Sequence, residues 1–540
     1  MNKKAMAAVA LFCTICVSVL FTSCSDVDNP ATSPESNPDQ LADVTIMYYA
    51  HGGGNLDKRM IGNIRQMYRA EASSHKNVKI AIEFKFSAKD KIPHFEDETD
   101  KEDFENTVEI DGEEETESTV SDEDYVLWMD PEGSSTFRFA LDPTKTLRKQ
   151  AEGHYLPGKN ADITNPDSLT NFINWAAKTC PAKNYVLILN DHGGGYIPDD
   201  DLYRENAAAR TRGIIYDDAN VGKHFSAPSL AHAIKAANIR PNVIYFDACL
   251  MNTIEYMFEL KDVTDYVVAS TYITYAGPPY ATLIECLSGA SDNLRYAFEK
   301  YLEYNMKFFD PVNEDQVWYY DITMTETAKL DQLGEAMREF TDRLCDTYQN
   351  GTAEQKQKID DVTKNAVKIN ANSSLYDIGR YMEGMRKALP EVFDDAFWAE
   401  LLSAFNNCIA GQYASKYLLN HDYQVDYSVL LAAKGVYHLA QWGSNTQTRI
   451  LEALRYYYPD GNFITYIVKN GEFKKDVVPD YTLKLYGEGQ WGGTLESVYG
   501  ALAFEKATGW SRWLLLNEQL PPLWCNNDFN SPLPDPDPIE

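Results

Sequence analysis

Short apolar runs that alternate with amphipathic segments dominate the chain between residues 42 and 285. Continuous runs rich in β-branched and aromatic residues predict buried parallel strands. These runs are Val44–Tyr49, Val78–Phe84, Tyr185–Leu189, Asn242–Phe246 and Tyr266–Ala269. Between them lie segments with helical periodicity, near Leu56–Ala70, Ser168–Lys178, Ser229–Ala237 and Asn252–Leu260. The alternation of strand and helix predicts an α/β fold with a mainly parallel sheet flanked by helices.

The pattern changes beyond residue 285. Longer helical segments follow at Leu294–Phe309, Thr325–Cys345 and Asp394–Ile409, with shorter β-like segments at Phe463–Val468 and Tyr481–Leu485. We therefore expect a helix-rich C-terminal region over residues 286–525 that packs on the first domain as one body. The proline- and aspartate-rich residues 526–540 predict a disordered tail.

An acidic insertion interrupts the first domain at residues 87–124, after the second predicted strand. Its composition is typical of a solvated loop, and a cation-binding role is the alternative. The segments Tyr125–Met129 and Thr136–Ala140 after it predict a hairpin region.

The N-terminus carries an export signal. Two lysines precede an apolar run, Ala5–Phe21, which is too short for a comfortable membrane span. The run ends before Cys24, as in the bacterial lipoprotein signal, in which the cysteine is lipidated. We expect a signal peptide over residues 1–23 and a disordered tether over residues 24–41. We also expect the protein to be lipid-anchored in the bacterial cell envelope, at the outer membrane or cell surface, and to contact the membrane through this lipid only. An ordinary cleaved signal is the alternative.

Composition narrows the function classes. Hydrophobic residues make up 44% of the 540 residues, which indicates a globular protein. The net charge of −32 argues against nucleic acid and favours cationic substrates weakly. The nine cysteines are scattered without CxxC pairs or metal-ligand spacing, which excludes a disulfide framework or a cysteine metal site. A monomer is expected.

Two predicted strands end in residues that carry chemistry. The first runs into Asp191-His192 and three glycines, and the second runs into Asp247-Ala248-Cys249 at the predicted start of a helix. The carboxyl ends of neighbouring parallel strands share one edge, where a histidine would activate a thiol. A buried structural cysteine and a histidine in a turn are the alternatives. The His-Gly-Gly of lipases is another alternative, but no Gly-x-Ser-x-Gly is present.

The paired segments Asp191-His192-Gly193-Gly194-Gly195 and Asp247-Ala248-Cys249-Leu250-Met251 resemble the signature of the clostripain-like cysteine peptidases, which belong with caspases, gingipains and legumain. The resemblance spans residues 42–515 and is strongest from 165 to 280. It implies a caspase-like fold and cysteine-type endopeptidase activity on peptide or protein substrates.

The resemblance also implies the site residues. Cys249 would be the nucleophile, His192 its acid–base partner, and the N–H groups of Gly193 and Cys249 the oxyanion hole. Asp247 and Ser270 would line the S1 pocket, so that cleavage follows Arg or Lys; capping of the next helix is the alternative for Asp247. Residues 271–280 lack the acidic residue and Gly-Trp common in relatives, which makes the pocket wall less acidic.

Three further expectations complete the sequence analysis. Self-cleavage is expected at Arg204, Arg210 or Arg212, in a polar stretch between the two signature segments. No cofactor is expected to be required; calcium is the one candidate, because part of the family depends on it. His51 beside Gly52 either lines the same edge or serves in a turn. A catalytically silent lipoprotein that binds peptide on this scaffold is the alternative function.

Overall fold

The computed structural model describes residues 41–54, 56–72, 77–88, 135–145, 147, 150, 161–195, 213–217, 223–271, 279–290, 293–309, 321–366, 377–414 and 502–516. Every element named below lies in the part of the chain that begins at Ala42. None of the helices described is long and apolar enough to cross a membrane.

The described elements follow one another in the order that the sequence pattern indicates. The strands are β1 (Ala42–His51), β2 (Val78–Lys85), β3 (Thr136–Ala140), β4 (Ala182–Asn190), β5 (Ile214–Asp217), β6 (Lys223–Phe225), β7 (Val243–Asp247), β8 (Tyr266–Ala269), β9 (Asp321–Glu326) and β10 (Ile409–Ala414). The helices are α1 (Asp57–Ala72), α2 (Pro166–Thr179), α3 (Ala227–Lys235), α4 (Ile254–Leu260), α5 (Tyr280–Ala290), α6 (Leu294–Phe309), α7 (Leu330–Asn350), α8 (Ala353–Lys364), α9 (Ile378–Ala388), α10 (Asp395–Cys408), α11 (Ala503–Thr508) and α12 (Ser511–Leu516).

Eight strands form one sheet in the order β10-β9-β8-β7-β4-β1-β2-β3, and β5 pairs with β6 in a separate hairpin. The five central strands, β8-β7-β4-β1-β2, are parallel, whereas β3, β9 and β10 pair antiparallel to their neighbours. From β1 the chain passes to β2 on one side and later to β4 on the other. In an open α/β sheet, such a reversal places the ligand site beyond the carboxyl ends of β1 and β4.

Alternation along the central strands divides the core between the two faces of the sheet. In β4, Leu187 and Leu189 lie in a cluster with helices α2, α3, α4 and the C-terminal helices, while Val186 and Ile188 lie in a cluster with α1, α5 and α6. Both sets are fully buried, as expected for strands covered on both faces. The predicted α/β architecture of mainly parallel strands flanked by helices is therefore confirmed.

The helix-rich C-terminal region continues the core on one face of the sheet. Phe340 of α7 stacks on Phe393 at a centroid distance of 4.8 Å, and Phe258 of α4 meets Phe504 of α11 at 5.3 Å. Between these contacts, Trp510 is fully buried. Aromatic residues on distant parts of the chain thus join the region to the helix that follows the Cys249 loop.

Several sequence expectations need correction or lie outside the described residues. The strands β9 and β10 extend the sheet beyond residue 285, between and after the predicted helices of the C-terminal region, at positions that the sequence pattern does not indicate. The helix predicted from Asn252 begins at Ile254. The signal peptide, the tether up to residue 40, the insertion from residue 89, the segment Tyr125–Met129, the β-like segments after residue 460 and the C-terminal tail are not among the described residues.

The pH dependence of folding should report on Asp377, the N-cap of α9. Its side chain accepts a hydrogen bond from the Arg380 N–H at 2.9 Å, and burial raises the pKa of Asp377 to about 7. The folded state therefore binds a proton that the unfolded state releases near pH 4, so this residue's contribution to stability falls as the pH rises from about 4 to 7. Asparagine caps equally well without a charge.

We expect Asp377→Asn to raise the free energy of unfolding at pH 8 by roughly 0.5–2 kcal/mol and to change it little at pH 4. Urea denaturation of both proteins at the two pH values measures this difference. Parallel pH profiles would contradict the assignment. Asp394→Asn is the matched control, because Asp394 is an N-cap with a lowered pKa, caused by hydrogen bonds from the Phe397 N–H and Arg343.

Candidate active site

The register of the central strands brings the two signature loops together. Strand β4 pairs in parallel with β7, and Asn190 lies opposite Asp247. His192 and Cys249 each follow two residues after this pair, so both leave the sheet at the same edge. The edge lies beside the reversal between β1 and β4. The sequence-predicted pair therefore occupies the position at which an open parallel sheet binds its ligands.

Gly193 lies directly against the backbone of the Cys249 loop. A β-carbon at Gly193 would lie 2.1 Å from the Cys249 carbonyl oxygen and 2.9 Å from the Met251 side chain. Only glycine permits this approach. The neighbouring Gly194 N–H donates to the Gly213 carbonyl at 3.1 Å, which ties the loop to the β5 hairpin and leaves the Gly193 N–H to other partners. The arrangement explains the glycines that follow His192.

Asp191 fixes the backbone on both sides of the His192 loop. Its Oδ1 accepts from the His192 N–H at 2.6 Å, and its Oδ2 accepts from the Tyr216 N–H at 2.5 Å. Gly53, with φ of +54°, packs on the other side, where a β-carbon would lie 2.1 Å from Asp191 Oδ1. One buried carboxylate thus joins the end of β4 to β5 and to the glycine turn after β1.

His51 serves the glycine turn. It is fully buried, and its Nδ1 accepts a hydrogen bond from the Gly53 N–H at 2.8 Å. The same Nδ1 lies 3.4 Å from Asp191 Oδ2. Of the two interpretations of His51, the structure favours the role in the turn.

Two strained residues and one buried ion pair lie around these loops. Leu250, directly after Cys249, has a φ of +61°, and Ile215 in β5 has a φ of +57°. Side chains with a β-carbon rarely adopt this region, and such strain concentrates at functional sites. Lys85 and Asp217, both fully buried, pair at 2.7 Å and anchor the β5 hairpin on the end of β2.

Thiol chemistry distinguishes Cys249 from other cysteines that the structure describes. Burial raises the pKa of Cys286 and Cys345 to about 11 and that of Cys408 to about 12, so these thiols stay protonated at neutral pH. Cys249 is half-buried and lies at the carboxyl edge of the sheet. It is the described thiol that best suits a nucleophile.

The start of α4 corrects two interpretations. The helix begins at Ile254 with Thr253 as its N-cap, five residues after Cys249. The helix dipole acts within the first turn, so it is not the group that activates Cys249, and His192 remains the candidate base. The interpretation of Asp247 as a helix cap is wrong, because Thr253 occupies that position.

Asp247 lies at the centre of a buried polar cluster. Its Oδ2 accepts hydrogen bonds from Tyr280 Oη at 2.7 Å, Asn190 Nδ2 at 2.5 Å and Asn63 Nδ2 at 3.3 Å. Burial raises the pKa of Asp247, while the charge of Arg59 and the hydrogen bonds lower it. Only 6% of the residue is exposed. The carboxylate is therefore buried among neutral hydrogen-bond donors, with the charge of Arg59 close enough to favour its ionised form.

Ser270 lies at the end of β8 and is buried. Its hydroxyl donates to Asp321 Oδ1 at 2.7 Å, and its carbonyl accepts from the Asn252 N–H at 2.9 Å. The Thr271 N–H donates to the other oxygen of Asp321 at 2.8 Å. The Ser270 hydroxyl therefore bonds to Asp321 rather than to Asp247. Asp321 therefore holds the end of β8 through Ser270 and Thr271. The sequence analysis did not identify this role of Asp321.

The remaining predicted site residues lie outside the part of the chain that the structure describes. They are Cys24, Arg204, Arg210 and Arg212. Among the residues described, no group of three or more His, Cys, Asp or Glu side chains is arranged to hold a metal ion. The acidic insertion from residue 89 onward lies outside the described residues.

Comparisons with known proteins add a family to this geometry. A sequence model of the clostripain family matches residues 109–470. Clostripain of Hathewaya histolytica is 25% identical over 263 residues, which are 46% of this chain and 42% of that protein. The chain thus matches less than half of this relative's length.

Two solved structures are similar in part. A secreted cysteine protease from Bacteroides thetaiotaomicron has 18% identity and a TM-score of 0.48, over 72% of this chain and 92% of that chain. An inactive zymogen protease from Parabacteroides distasonis has 16% identity and a TM-score of 0.47, over 77% of this chain and 96% of that chain.

Proposed function

Because the chain belongs to the clostripain family of cysteine peptidases, we propose that it is an endopeptidase that cleaves peptide bonds after Arg or Lys. The observation that carries this proposal is the contact of Gly193 with the Cys249 carbonyl, beside the buried carboxylate of Asp247. This contact supports the proposal because the loops that carry the proposed base and the proposed nucleophile meet at the sheet edge where the proposed S1 carboxylate lies.

In the proposed mechanism, Cys249 and His192 act as a dyad. The Cys249 thiolate attacks the scissile carbonyl, and the oxyanion that forms accepts hydrogen bonds from the N–H groups of Gly193 and Cys249. His192 gives its proton to the leaving amine as the C–N bond breaks, which leaves a thioester on Cys249. Water, deprotonated by His192, then hydrolyses the thioester and restores the thiol.

Asp247 supplies the proposed P1 preference, with Ser270 contributing to the pocket wall. A cationic side chain would pair with the buried carboxylate, whereas an apolar one would add no counter-charge beyond that of Arg59. Asp321 supports this interpretation of Ser270, because it fixes the backbone at the end of β8. The acidic net charge of −32 favours the approach of basic peptides.

The proposal extends to location and maturation. Lipidation of Cys24 would hold the enzyme at the cell envelope by its N-terminus, with the membrane touching no other part. Self-cleavage after Arg204, Arg210 or Arg212 would follow from the proposed specificity, and a purified active protein that remains a single chain would argue against it. Calcium, if it acts, would bind the acidic insertion, and activity that persists with a chelator would remove it.

Fluorogenic peptides that differ only at P1 test the proposed function. We expect the protein to hydrolyse the Arg and Lys peptides at least about 10²-fold faster than the Leu and Asp peptides, because only the first two bring a positive charge that can pair with Asp247. Cleavage after Leu or Asp would retain a peptidase and remove the role of Asp247. No hydrolysis of any peptide, also after trypsin nicking with calcium present, would favour the silent binding lipoprotein.

A further inference from the structure

The hydrogen bonds to Asp247 are strongly unequal between its two carboxylate oxygens. The Oδ2 atom accepts from Tyr280, Asn190 and Asn63, which come from α5, β4 and α1. From the residues that the structure describes, Oδ1 accepts no hydrogen bond, and the Asn190 amide also approaches the Asp247 main-chain carbonyl at 3.4 Å. The protein therefore binds one edge of the carboxylate.

Three donors occupy the hydrogen-bonding capacity of Oδ2. A carboxylate oxygen offers two lone-pair sites, so these three donors already share two sites, and a further donor at this atom would have to displace more than one of them. The cluster also resists rotation of the carboxylate, because Tyr48 donates to Asn190 Oδ1 at 2.9 Å and packs edge-on against Tyr280 at 5.7 Å. A rotation that exchanged the two carboxylate oxygens of Asp247 would again place one oxygen among the three donors and leave the other without them.

Arginine and lysine differ in what they require from such a carboxylate. The guanidinium forms its strongest pair through two parallel N–H···O bonds, one to each oxygen, whereas an ammonium group is a compact charge that pairs with a single oxygen. With Oδ2 occupied, a P1 arginine loses its second hydrogen bond. A P1 lysine loses none.

We propose that Asn63, Asn190 and Tyr280 are specificity-determining residues that make Asp247 a one-oxygen partner, so that the S1 pocket accepts lysine at least as well as arginine. The inference rests on the proposed function of Asp247 in S1. It makes Tyr280 a positioning residue, since its hydroxyl acts through Asp247 and not on the substrate.

The experiment compares Lys and Arg peptides that are otherwise identical, for the wild type, Tyr280→Phe and Asn63→Leu. The wild type should give a kcat/KM for the Lys peptide that equals or exceeds the value for the Arg peptide. Tyr280→Phe retains the buried ring and leaves Oδ2 with two donors, of which the Asn63 amide at 3.3 Å is the longer and more easily displaced. A guanidinium can then reach Oδ2, so the arginine-to-lysine ratio should rise about three- to tenfold. Asn63→Leu removes another donor and should move the ratio in the same direction.

Tyr381→Phe is the matched control. Its buried hydroxyl bonds to Thr363 Oγ1 at 3.1 Å in the helix-rich region, so its removal should leave the ratio unchanged. Because the fraction of folded enzyme cancels in the arginine-to-lysine ratio, a change in this ratio reports specificity and not partial unfolding. An arginine preference in the wild type, or a ratio that neither variant at the cluster changes, would overturn the inference alone. If the wild type cleaves neither the Lys peptide nor the Arg peptide, the proposed function is overturned, and the inference with it.

Discussion

Replacing Cys249 with alanine is expected to lower kcat/KM for a basic peptide by at least about 10⁴-fold, because it removes the proposed nucleophile, on which the acyl intermediate would form. The fold should persist. Cys249 lies in a loop between β7 and α4, half-buried, and an alanine fits the space that the thiol leaves. Steady-state kinetics measure the loss, and circular dichroism checks that the variant is folded.

A second cysteine provides the control for this result. Cys286 is also half-buried, but burial raises its pKa to about 11, so it remains a neutral thiol. We expect Cys286→Ala to retain activity within about twofold and iodoacetamide to modify Cys249 first. Activity that survives in Cys249→Ala would assign the chemistry to another nucleophile, such as a serine, and would contradict the proposed dyad.

Short, continuous apolar runs made the central sheet predictable. The strand β8 begins and ends at the residues that the sequence indicates, and β4 extends the predicted run by a few residues at its start. Buried parallel strands need continuous apolar runs, and few other elements produce them in such short segments. The position of His192 and Cys249 at one edge followed from that, because it depends only on neighbouring strands ending together.

Edge strands were harder to predict. The strand β9, with the sequence Asp-Ile-Thr-Met-Thr-Glu, has several polar residues, and β10 contains a glycine and an irregular register between Ile409 and Gly411. The hairpin of β5 and β6 is too short for a periodic signal. Such strands are specified by pairing with distant neighbours, which one sequence does not reveal.

The cluster around Asp247 shows the same limit at the level of side chains. The sequence contains a signal for the role of Asn190, because this polar residue ends a buried strand directly before Asp191 and His192. Asn63 and Tyr280 did not, since each lies inside or at the start of a helix far away in sequence. Their role depends on α1 and α5 packing on the same face of the sheet.

Asp247→Asn is expected to reduce kcat/KM for Lys and Arg peptides by about 10²–10³-fold while the Leu peptide is cleaved no more slowly. Asparagine is isosteric and its oxygen accepts the same bonds from Tyr280, Asn190 and Asn63, so the cluster survives without the charge. The substrate cation would then be buried without a partner. Kinetics with the P1 peptide panel measure the effect.

The same substitution should stabilise the folded protein at neutral pH. Burial raises the pKa of Asp247, so folding with the charge present costs free energy that is absent at acid pH, where both states are protonated. We expect a gain of roughly 0.5–2 kcal/mol at pH 8 that vanishes on acidification. Asp377→Asn is the control: it should stabilise in the same pH range without altering P1 preference, since Asp377 lies at the start of α9. If Asp247 binds the substrate cation, its charge is retained for that role although it lowers the stability of the fold. An Asp247→Asn variant that is less stable but remains fully selective for lysine would show instead that the carboxylate serves the fold alone.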